Sequence, residues 1–460
     1  MSVEHPSKSK SPRLRFGSRF AALAVALLLV LAACSGDDST DTTASGGSDT
    51  PGTTAAGSDT TAPPSGGDEP VELIMWFNGE TVPPDNFASL EAEHNIKVSW
   101  DIRGDDILPL TLQMLDAGER LPDIIEIDTN TVPAYIEAGV LLPMDDLVAQ
   151  WESEDPDLYA DVFPSAWENG TFDGVLYHMA NKAGDDIIYY NIDMLEEAGI
   201  EVPLETWDDV ADAALELKGV FPGLSEYFGT GGTSPDRMFY WSYGFGVPFI
   251  GQQGNIPDLS SPQGLEMIEW LDRIFKEGLV NPSFMIGDQD ESQGAFIRDD
   301  LPILMEGANG GISFIEAGFE YGTDFGTFAL PQQAGGESMN VPRGLSIVAE
   351  TEHPYEASLV LRYMSELEQT IPRFTVLLSS PIRSFALFES DELAERLAYY
   401  NTPEIIAHLQ ATVNQIPPGT NTFPIGDVLK ELLDELTVVG TDEAYEDLAA
   451  RYMDELLALD

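Results

Sequence analysis

The chain has 460 residues, in which 80 Asp and Glu outnumber 21 Lys and Arg, so that its formal net charge is −59. So negative a chain would repel the polyphosphate of DNA or RNA, which excludes nucleic acid as a partner. Its length exceeds what one hydrophobic core usually serves and predicts more than one domain. We interpret the acidity as a solvated surface suited to a saline or otherwise demanding exterior; a cationic ligand is the alternative.

The first forty residues have the pattern of an export signal. Arg13, Arg15 and Arg19 precede an apolar run at 20–30, and small residues follow around Cys34. A basic start, a short apolar core and small residues before the cut are typical of a signal peptide that is removed after export.

Cys34 is the single cysteine of the chain and lies where a bacterial lipoprotein signal would be cleaved. We therefore predict a lipoprotein signal peptide at 1–33 and a lipid on Cys34 that anchors the protein to the outer face of the cytoplasmic membrane. One cysteine can form no internal disulfide. The alternative, a transmembrane helix that begins at 21–33, needs roughly 20 apolar residues, more than this run supplies. Residues 34–69 are small and polar and are predicted to be a flexible linker.

From residue 70 onward, strand-like apolar runs alternate with helix-like stretches. The first series has strands at 71–77, 96–102 and 122–128 and helices at 87–94 and 107–117. The second series has strands at 187–190, 303–305, 325–330 and 345–348 and helices at 206–218, 262–277, 355–368, 392–400 and 426–436. This alternation predicts parallel α/β sheets, in which ligands bind beyond the carboxyl ends of the strands.

Common catalytic and metal motifs are absent from the sequence. It contains no Gly-x-Ser-x-Gly elbow, no Gly-x-x-x-x-Gly-Lys phosphate loop and no His-Glu-x-x-His, and its five histidines are far apart. A run of alternating oxygen donors from Asp288 is like a calcium loop, but Gln293 and Asp299 stand where such loops have Gly and Glu. We therefore expect no enzymatic activity, no cofactor and no metal site.

Five segments carry a family resemblance in their order and spacing. They are P-D-I-I at 122–125, A-G-V-L-L-P-M-D at 138–145, F-D-G-V-L-Y at 172–177, Y-Y-N-I-D-M-L at 189–195 with A-G-I at 198–200, and P-L-E-T-W-D at 203–208. Together they resemble the family 1, sugar-type extracellular solute-binding proteins of ABC importers, and the opening I-M-W-F-N-G-E at 74–80 is similar to maltose-binding-type proteins. Two departures are that no Trp follows Met305 and that Arg343-Gly344 replaces a common Gly-Gly.

The resemblance implies an α/β, two-lobed periplasmic-binding-protein fold of type II. The N-terminal lobe would comprise 70–180 and 345–380, the C-terminal lobe 181–344 and 381–460, and the ligand would bind in the cleft between them. It also implies that a monomeric lipoprotein captures a sugar and presents it to the transmembrane subunits of an ABC permease. A different solute in the same fold, such as an organic anion, a polyamine or a metal complex, and a surface-anchored hydrolase or adhesion module remain alternatives.

Sugar recognition combines aromatic faces with side chains that hydrogen bond to hydroxyl groups. The candidate ligand-binding residues are Trp76, Asn78, Asp128, Asn130, Asn181, Lys182, Trp241, Tyr243, Glu306, Arg343 and Arg383. For each tryptophan, packing in a hydrophobic core is the alternative role. Lys182, Arg343 and Arg383 lie at or beside the expected crossovers between lobes, where they either select an anionic group or neutralise neighbouring carboxylates.

Overall fold

A computed structural model describes most of the chain from residue 69 onward. The described residues are 69–78, 82–83, 85–182, 186–230, 235–252, 254–285, 289–337, 339, 342–376, 384–391, 393–394, 397–403, 405 and 422–460. The predicted signal peptide, Cys34 and all but the last residue of the predicted linker lie outside these residues. Within them, no helix has the length and apolar character needed to cross a membrane.

Strands and helices alternate through most of the described chain, which confirms the predicted α/β class. The strands are β1 Val71–Phe77, β2 Ile96–Ile102, β3 Ile124–Asp128, β4 Thr171–Phe172, β5 Val175–Leu176, β6 Met179–Lys182, β7 Asp186–Asn191, β8 Phe228–Gly229, β9 Phe249–Ile250, β10 Ile256–Pro257, β11 Ile303–Gly307, β12 Phe325–Phe328 and β13 Arg343–Ile347. The helices are α1 Ala88–His94, α2 Ile107–Ala117, α3 Val132–Glu137, α4 Asp145–Glu154, α5 Pro156–Asp161, α6 Pro164–Glu168, α7 Ile192–Ala198, α8 Trp207–Val220, α9 Pro235–Gly244, α10 Pro262–Lys276, α11 Pro282–Met285, α12 Gln289–Ile297, α13 Ala308–Glu316, α14 Pro354–Ser365, α15 Leu367–Val376, α16 Phe385–Glu389, α17 Thr422–Val439 and α18 Tyr445–Leu457.

The first sheet has the strand order β2-β1-β3-β13-β6. Its strand β1 runs parallel to β2 and β3, whereas β13 is antiparallel to β3 and to β6. Alternate residues of β1 enter different cores: Leu73 and Met75 pack in one hydrophobic cluster and Trp76 in another. Because successive side chains of a strand point to opposite faces, this sheet is covered on both sides.

The second sheet has the strand order β12-β7-β11-β8, in which β11 is parallel to β8 and β7 is antiparallel to both β11 and β12. Here too the two faces are apolar, since Ile188 belongs to one hydrophobic cluster and Ile187 and Tyr189 belong to another. Helices α8, α9, α10 and α17 contribute to the cluster around Ile188. A second hydrophobic layer therefore forms around a second sheet, as the chain length predicts.

Helix starts follow the local sequence. Thr206 and Asp209 form the predicted capping box at the start of α8: the Asp209 N–H donates to Thr206 Oγ1 at 3.1 Å, and the Thr206 N–H donates to Asp209 Oδ2 at 2.9 Å. The predicted helix at 355–368 is two helices, α14 and α15, which meet at Glu366. Of the predicted helix at 392–400, the described residues form turns.

Short stretches of chain connect the two sheets. Three residues, 183–185, separate β6 in the first sheet from β7 in the second, and residues 329–342 separate β12 from β13. The structure places Asn181, Lys182, Arg343 and Gly344 in the first sheet, whereas the boundaries drawn from the sequence put them in the C-terminal lobe. Backbone pairing of β6 with β13 extends the first sheet to include these residues. Elsewhere, the lobe boundaries remain predictions.

A carboxyl group is buried where the chain enters β8. Glu226 is 2% exposed, and its Oε1 accepts a hydrogen bond from the backbone N–H of Asn281 at 3.0 Å. Its Oε2 has no hydrogen-bond partner among the described residues. Burial penalises the charged form and raises the pKa of Glu226 to about 8.

Glu226 should therefore make the protein less stable as the pH rises. Between the ordinary pKa near 4.5 and about 8, the unfolded carboxyl is ionised while the folded one keeps its proton, so each pH unit should lower the free energy of unfolding by about 1.4 kcal/mol. Glu226→Gln should remove this contribution, as measured by urea unfolding at several pH values. Glu196→Gln, which changes an exposed carboxylate of α7, is the control and should keep the slope of the wild type. An unchanged slope in Glu226→Gln would contradict the assignment.

Candidate functional site

Polar residues gather where the ends of the two sheets approach each other. Strands β1, β2, β3 and β6 all end at one edge of the first sheet, and β13 begins there. In the second sheet, β8 and β11 end at the edge where β7 begins. Only three residues join the end of β6 to the start of β7, so the Cα atoms of Lys182 and Asp186 lie at most about 15 Å apart. The two edges therefore lie close together at this crossover.

On the first-sheet side, Asp128 links three elements. Its carboxylate accepts hydrogen bonds from Arg343 Nε at 2.7 Å and Arg343 Nη2 at 3.4 Å, and from Asn78 Nδ2 at 3.3 Å. The pairing of β13 with β3 sets Arg343 directly opposite Asp128. Both side chains of this ion pair are about a quarter exposed, so they are fixed and still face solvent. Asn130 follows in the 3-10 turn Thr129–Thr131 and is half-buried.

A buried carboxylate, that of Glu126, lies next to this cluster. Glu126 is fully buried, and its Oε2 accepts a hydrogen bond from the Asn78 N–H at 3.1 Å. Arg373 is also buried, and its Nη2 donates to the carbonyl oxygen of Met364 at 2.5 Å. Burial lowers the pKa of Arg373 to about 10 and the charge of Glu126 acts in the opposite direction, so Arg373 stays cationic at neutral pH.

A neutral histidine ties the crossover strand to its neighbours. His178 is fully buried, with Nε2 3.2 Å from Thr129 Oγ1 and Nδ1 3.0 Å from Ser346 Oγ. Burial lowers the pKa of His178 to about 3. Thr129 Oγ1 also donates to the carbonyl oxygen of Pro342 at 2.7 Å. These bonds hold the start of β13, and with it Arg343, against the end of β3.

On the second-sheet side, a second group of charges lies at the corresponding edge. Arg237, in the first turn of α9, forms a buried ion pair with Asp186, and its guanidinium lies 5.6 Å from the ring centroid of Tyr240. Glu306 is fully buried near the end of β11, and its Oε1 accepts a hydrogen bond from the Gly307 N–H at 2.8 Å. Burial lowers the pKa of Arg237, and Tyr240 and then Glu306 act in the opposite direction.

The aromatic candidates lie in the cores. Trp76 is 6% exposed and packs in a hydrophobic cluster with Arg103 above its ring at 5.2 Å, which favours the alternative role in a core over a ring that faces solvent. The reason is that helices cover both faces of β1. Trp241 is fully buried with its ring centroid 6.0 Å from that of Trp270. Tyr243 is half-buried against Phe249 at 4.8 Å, roughly 9 Å along α9 from the turn that carries Arg237.

Of the three remaining candidate residues, the structure describes the backbone of two. The backbones of Asn181 and Lys182 end β6, and Lys182 is opposite Arg343 in the sheet. Arg383 lies outside the described residues. Among the residues that the structure does describe, no group of three His, Cys, Asp or Glu side chains could hold a metal ion.

Several functional candidates were missed in the sequence. Glu126, Asp186 and Arg237 are buried charged residues inside or next to apolar segments, and a charge in such a position signals a paired or functional group. Glu126 interrupts the apolar strand β3, and Arg237 precedes the aromatic run of α9. A charged residue within or beside an apolar segment was thus the sequence feature that could have identified them.

The chain is similar to proteins of known family. Residues 80–371 match the family model described as bacterial extracellular solute-binding protein. The arabinooligosaccharide-binding protein of Halalkalibacterium halodurans is 28% identical over 164 residues, which are 35% of this chain and 34% of that protein. The sn-glycerol-3-phosphate-binding periplasmic protein of Escherichia coli is 27% identical over 188 residues, 37% of this chain and 42% of that protein. The chain spans about half the length of the curated relatives it matches, or less.

A solved structure shows the fold. The sugar-binding protein MalE from Xanthomonas citri superimposes with a TM-score of 0.70 over 84% of this chain and 97% of that one, at 18% sequence identity. The similarity confirms the predicted two-lobed α/β architecture, in which the two sheets described above are the centres of the lobes.

The buried position of Trp76 predicts a large loss of stability on truncation. Trp76→Ala should lower the free energy of unfolding by about 3–5 kcal/mol, because it removes an indole from a packed core. Trp100→Ala is the matched control, since Trp100 in the neighbouring strand β2 is 40% exposed, and it should cost clearly less. Urea unfolding of both variants makes the comparison. Equal losses, or a larger loss for Trp100→Ala, would contradict the core assignment.

Proposed function

Because the chain belongs to the bacterial extracellular solute-binding protein family, we propose that it captures a carbohydrate outside the cell and delivers it to the permease of an ABC importer. The ligand is an oligosaccharide, bound in the cleft between the lobes by a monomeric protein, with no chemical step. The arabinooligosaccharide-binding relative and the sugar-binding structural neighbour support a carbohydrate ligand.

The observation that carries this proposal is the prearranged set of polar groups on the two facing edges. On one side Asp128 offers acceptors and Arg343 and Asn78 offer donors, and on the other Arg237 lies in a buried ion pair. Sugar hydroxyl groups both donate and accept, so they suit such a mixed set. A ligand that contacts both edges binds the closed state more tightly than the open one and thereby drives closure.

The charge arrangement supports an uncharged saccharide. Arg343 is paired with Asp128, and Arg237 is paired with Asp186. An anionic ligand would have to compete with these carboxylates for the arginines, at a cost in desolvation and broken hydrogen bonds. A neutral hydroxyl group can instead accept from an arginine N–H or donate to a carboxylate while the ion pairs persist.

An anionic solute is the second candidate. The relative from Escherichia coli that binds sn-glycerol 3-phosphate supports it, and Arg343 is a partly exposed arginine at the proposed cleft. In this alternative, Arg343 exchanges Asp128 for a phosphate or carboxylate of the ligand.

The lipid anchor and the lobe boundaries belong to the same proposal. Signal peptidase removes residues 1–33, Cys34 carries the lipid, and residues 34–69 tether the body to the outer face of the membrane. The N-terminal lobe comprises 70–180 and 345–380, extended by the strand residues noted above, and the C-terminal lobe comprises the rest.

A neutral oligosaccharide should raise the melting temperature of the mature body, because a ligand at 100 times its Kd adds about 2.7 kcal/mol. Screening should therefore include neutral oligosaccharides, their uronates and sn-glycerol 3-phosphate. Asp128→Ala should weaken sugar binding by about tenfold to a hundredfold, since it removes the acceptor that also orients Arg343 and Asn78. Glu72→Gln, in an exposed ion pair with Lys97 at the opposite end of β1, should bind like the wild type.

The same titrations separate the two candidates. If sn-glycerol 3-phosphate binds, neutral sugars do not, and Arg343→Gln abolishes the binding, the anionic alternative is correct. If neutral sugars bind and Arg343→Gln weakens them only moderately at low and high salt alike, the saccharide proposal stands. Binding of neither class would overturn both.

Cys34→Ser tests the anchor. Without the thiol no lipid can be attached, so the protein should appear in the medium or remain as an uncleaved precursor. Cell fractionation with mass spectrometry of the N-terminus distinguishes these forms, and Ser35→Ala serves as the control that should stay on the membrane. A Cys34→Ser protein that is processed and still membrane-bound would refute the anchor.

A further inference from the structure

A cavity lies away from the proposed cleft, beside the outermost strand of the second sheet. It has a volume of about 510 Å³, within the range of roughly 300–1,000 Å³ that is typical of small-molecule sites. Strand β12 forms one wall, and the loop between α7 and α8 forms the other. Tyr190, which lines the cavity, is four residues along β7 from Asp186, a separation of about 13 Å. None of the candidate cleft residues lines this cavity.

Aromatic contacts fix the cavity wall. The ring of Tyr190 packs on Phe328 with centroids 5.7 Å apart, and Tyr321 packs on Phe325 at 5.6 Å. Gly326 leaves the space that the Tyr190 ring occupies, because a Cβ at that position would lie 2.3 Å from the Tyr190 Cζ. The rings are therefore in place before any ligand arrives.

The opposite wall is also held. The backbone N–H of Gln332 donates to the carbonyl oxygen of Glu205 at 2.9 Å, which joins the segment after β12 to the loop before α8. Leu204 and Leu330 are buried and form an apolar floor, while Val202 is 37% exposed at the edge. The cavity thus has two connected walls and needs no rearrangement to exist.

The chemistry of the lining is apolar with hydroxyl, amide and carboxylate groups around it. Thr327 Oγ1 donates to the carbonyl oxygen of Tyr399 at 2.6 Å, which leaves its lone pairs able to accept. Thr402 and the tyrosines 190 and 321 add further hydroxyl groups. Burial, followed by the neighbouring Tyr321, raises the pKa of Tyr190, so its phenol remains a donor at neutral pH.

The charged residues that line the cavity limit the kind of ligand that it can bind. Among the described residues that line the cavity there is no Lys, Arg or His, and Glu205 is the one acidic residue. An anionic ligand would meet a carboxylate and no cation. A purely apolar ligand would leave the hydroxyl and amide groups desolvated without partners. A ring with apolar C–H faces and several hydroxyl groups satisfies both parts of the lining.

We propose that this cavity, defined by Tyr190, Leu204, Glu205, Tyr321, Phe328 and Leu330, is a second binding site that takes a neutral pyranose independently of the cleft. The aromatic rings and the leucines contact the apolar faces of the sugar. Glu205 and the hydroxyl groups of Tyr190 and Tyr321 bind its hydroxyl groups.

The test uses methyl α-glucopyranoside and methyl β-galactopyranoside as probes, observed by saturation-transfer NMR on the mature body. It is run in an Asp128→Ala background, so that cleft binding is impaired. At least one probe should still bind. Adding Ala329→Trp, which fills the cavity from the residue that follows β12, should weaken the binding of that probe at least tenfold. Tyr321→Phe and Glu205→Gln, which remove single polar groups, should each weaken binding of the probe several-fold. They replace Ala329→Trp as the test if that larger substitution disturbs folding. Tyr355→Phe in the other lobe is the matched control and should have no effect.

Each outcome is decisive for one site or the other. If the wild type binds sugars and Asp128→Ala abolishes all binding, the second site is overturned while the proposed function stands. If the probes bind only through the cavity, and no saccharide binds the cleft, the second site stands and the carbohydrate cleft fails. Indole is included as an apolar probe. If indole binds the cavity and neither pyranoside does, the proposed ligand class is wrong.

Discussion

The insertion of strand β13 between β3 and β6 is the constraint on which both the fold and the site depend. This strand arrives from the second lobe, runs antiparallel to both neighbours, and brings Arg343 opposite Asp128. The fit is close: a Cβ on Gly344 would lie 2.0 Å from the carbonyl oxygen of Met179, so only glycine lets β6 and β13 approach at this point. The pairing of β13 in the first sheet thus also orients the Asp128–Arg343 ion pair. A substitution that disturbs the pairing of β13 should therefore affect both the stability of the first sheet and the position of Arg343.

Buried charges are compensated locally, although the chain as a whole is far from neutral. Asp186 neutralises Arg237, Arg343 pairs with Asp128, and Arg373 lies within the field of Glu126. Most of the other carboxyl groups of the described residues lie at the surface. Long-range repulsion among those surface charges is weakened by salt, whereas the short, partly buried pairs are screened much less. Ionic strength should accordingly affect the body as a whole more than it affects recognition.

Much of the fold could be predicted, because apolar runs such as 71–77 and 96–102 coincide with β1 and β2 to the residue. Asn78 and Asp128 were also identified as candidate residues, since both lie at the carboxyl ends of predicted strands. The roles of Trp76 and Trp241 were harder to foresee. A tryptophan at a strand end or on an aromatic helix looks the same in sequence whether it faces solvent or a core. The Arg237–Asp186 pair joins residues 51 positions apart, and no local pattern encodes which distant charge a buried arginine meets. The separate cavity beside β12 arises from tertiary packing of a loop against an edge strand, which leaves no periodic signal.

The connection of only three residues between β6 and β7 has a mechanical consequence. Because so few residues connect them, the Cα atoms of Lys182 and Asp186 stay within about 15 Å of each other whatever the relative position of the lobes. In a rotation of the lobes about this connection, polar groups close to it, such as Arg343 and Asp186, would move little, and groups far from it would move more. A short ligand bound near the β6–β7 connection would therefore favour closure of the lobes only weakly. A long ligand that also contacts residues far from the connection would favour closure more strongly. The length of the saccharide, as well as its affinity, would then determine how completely the two lobes come together.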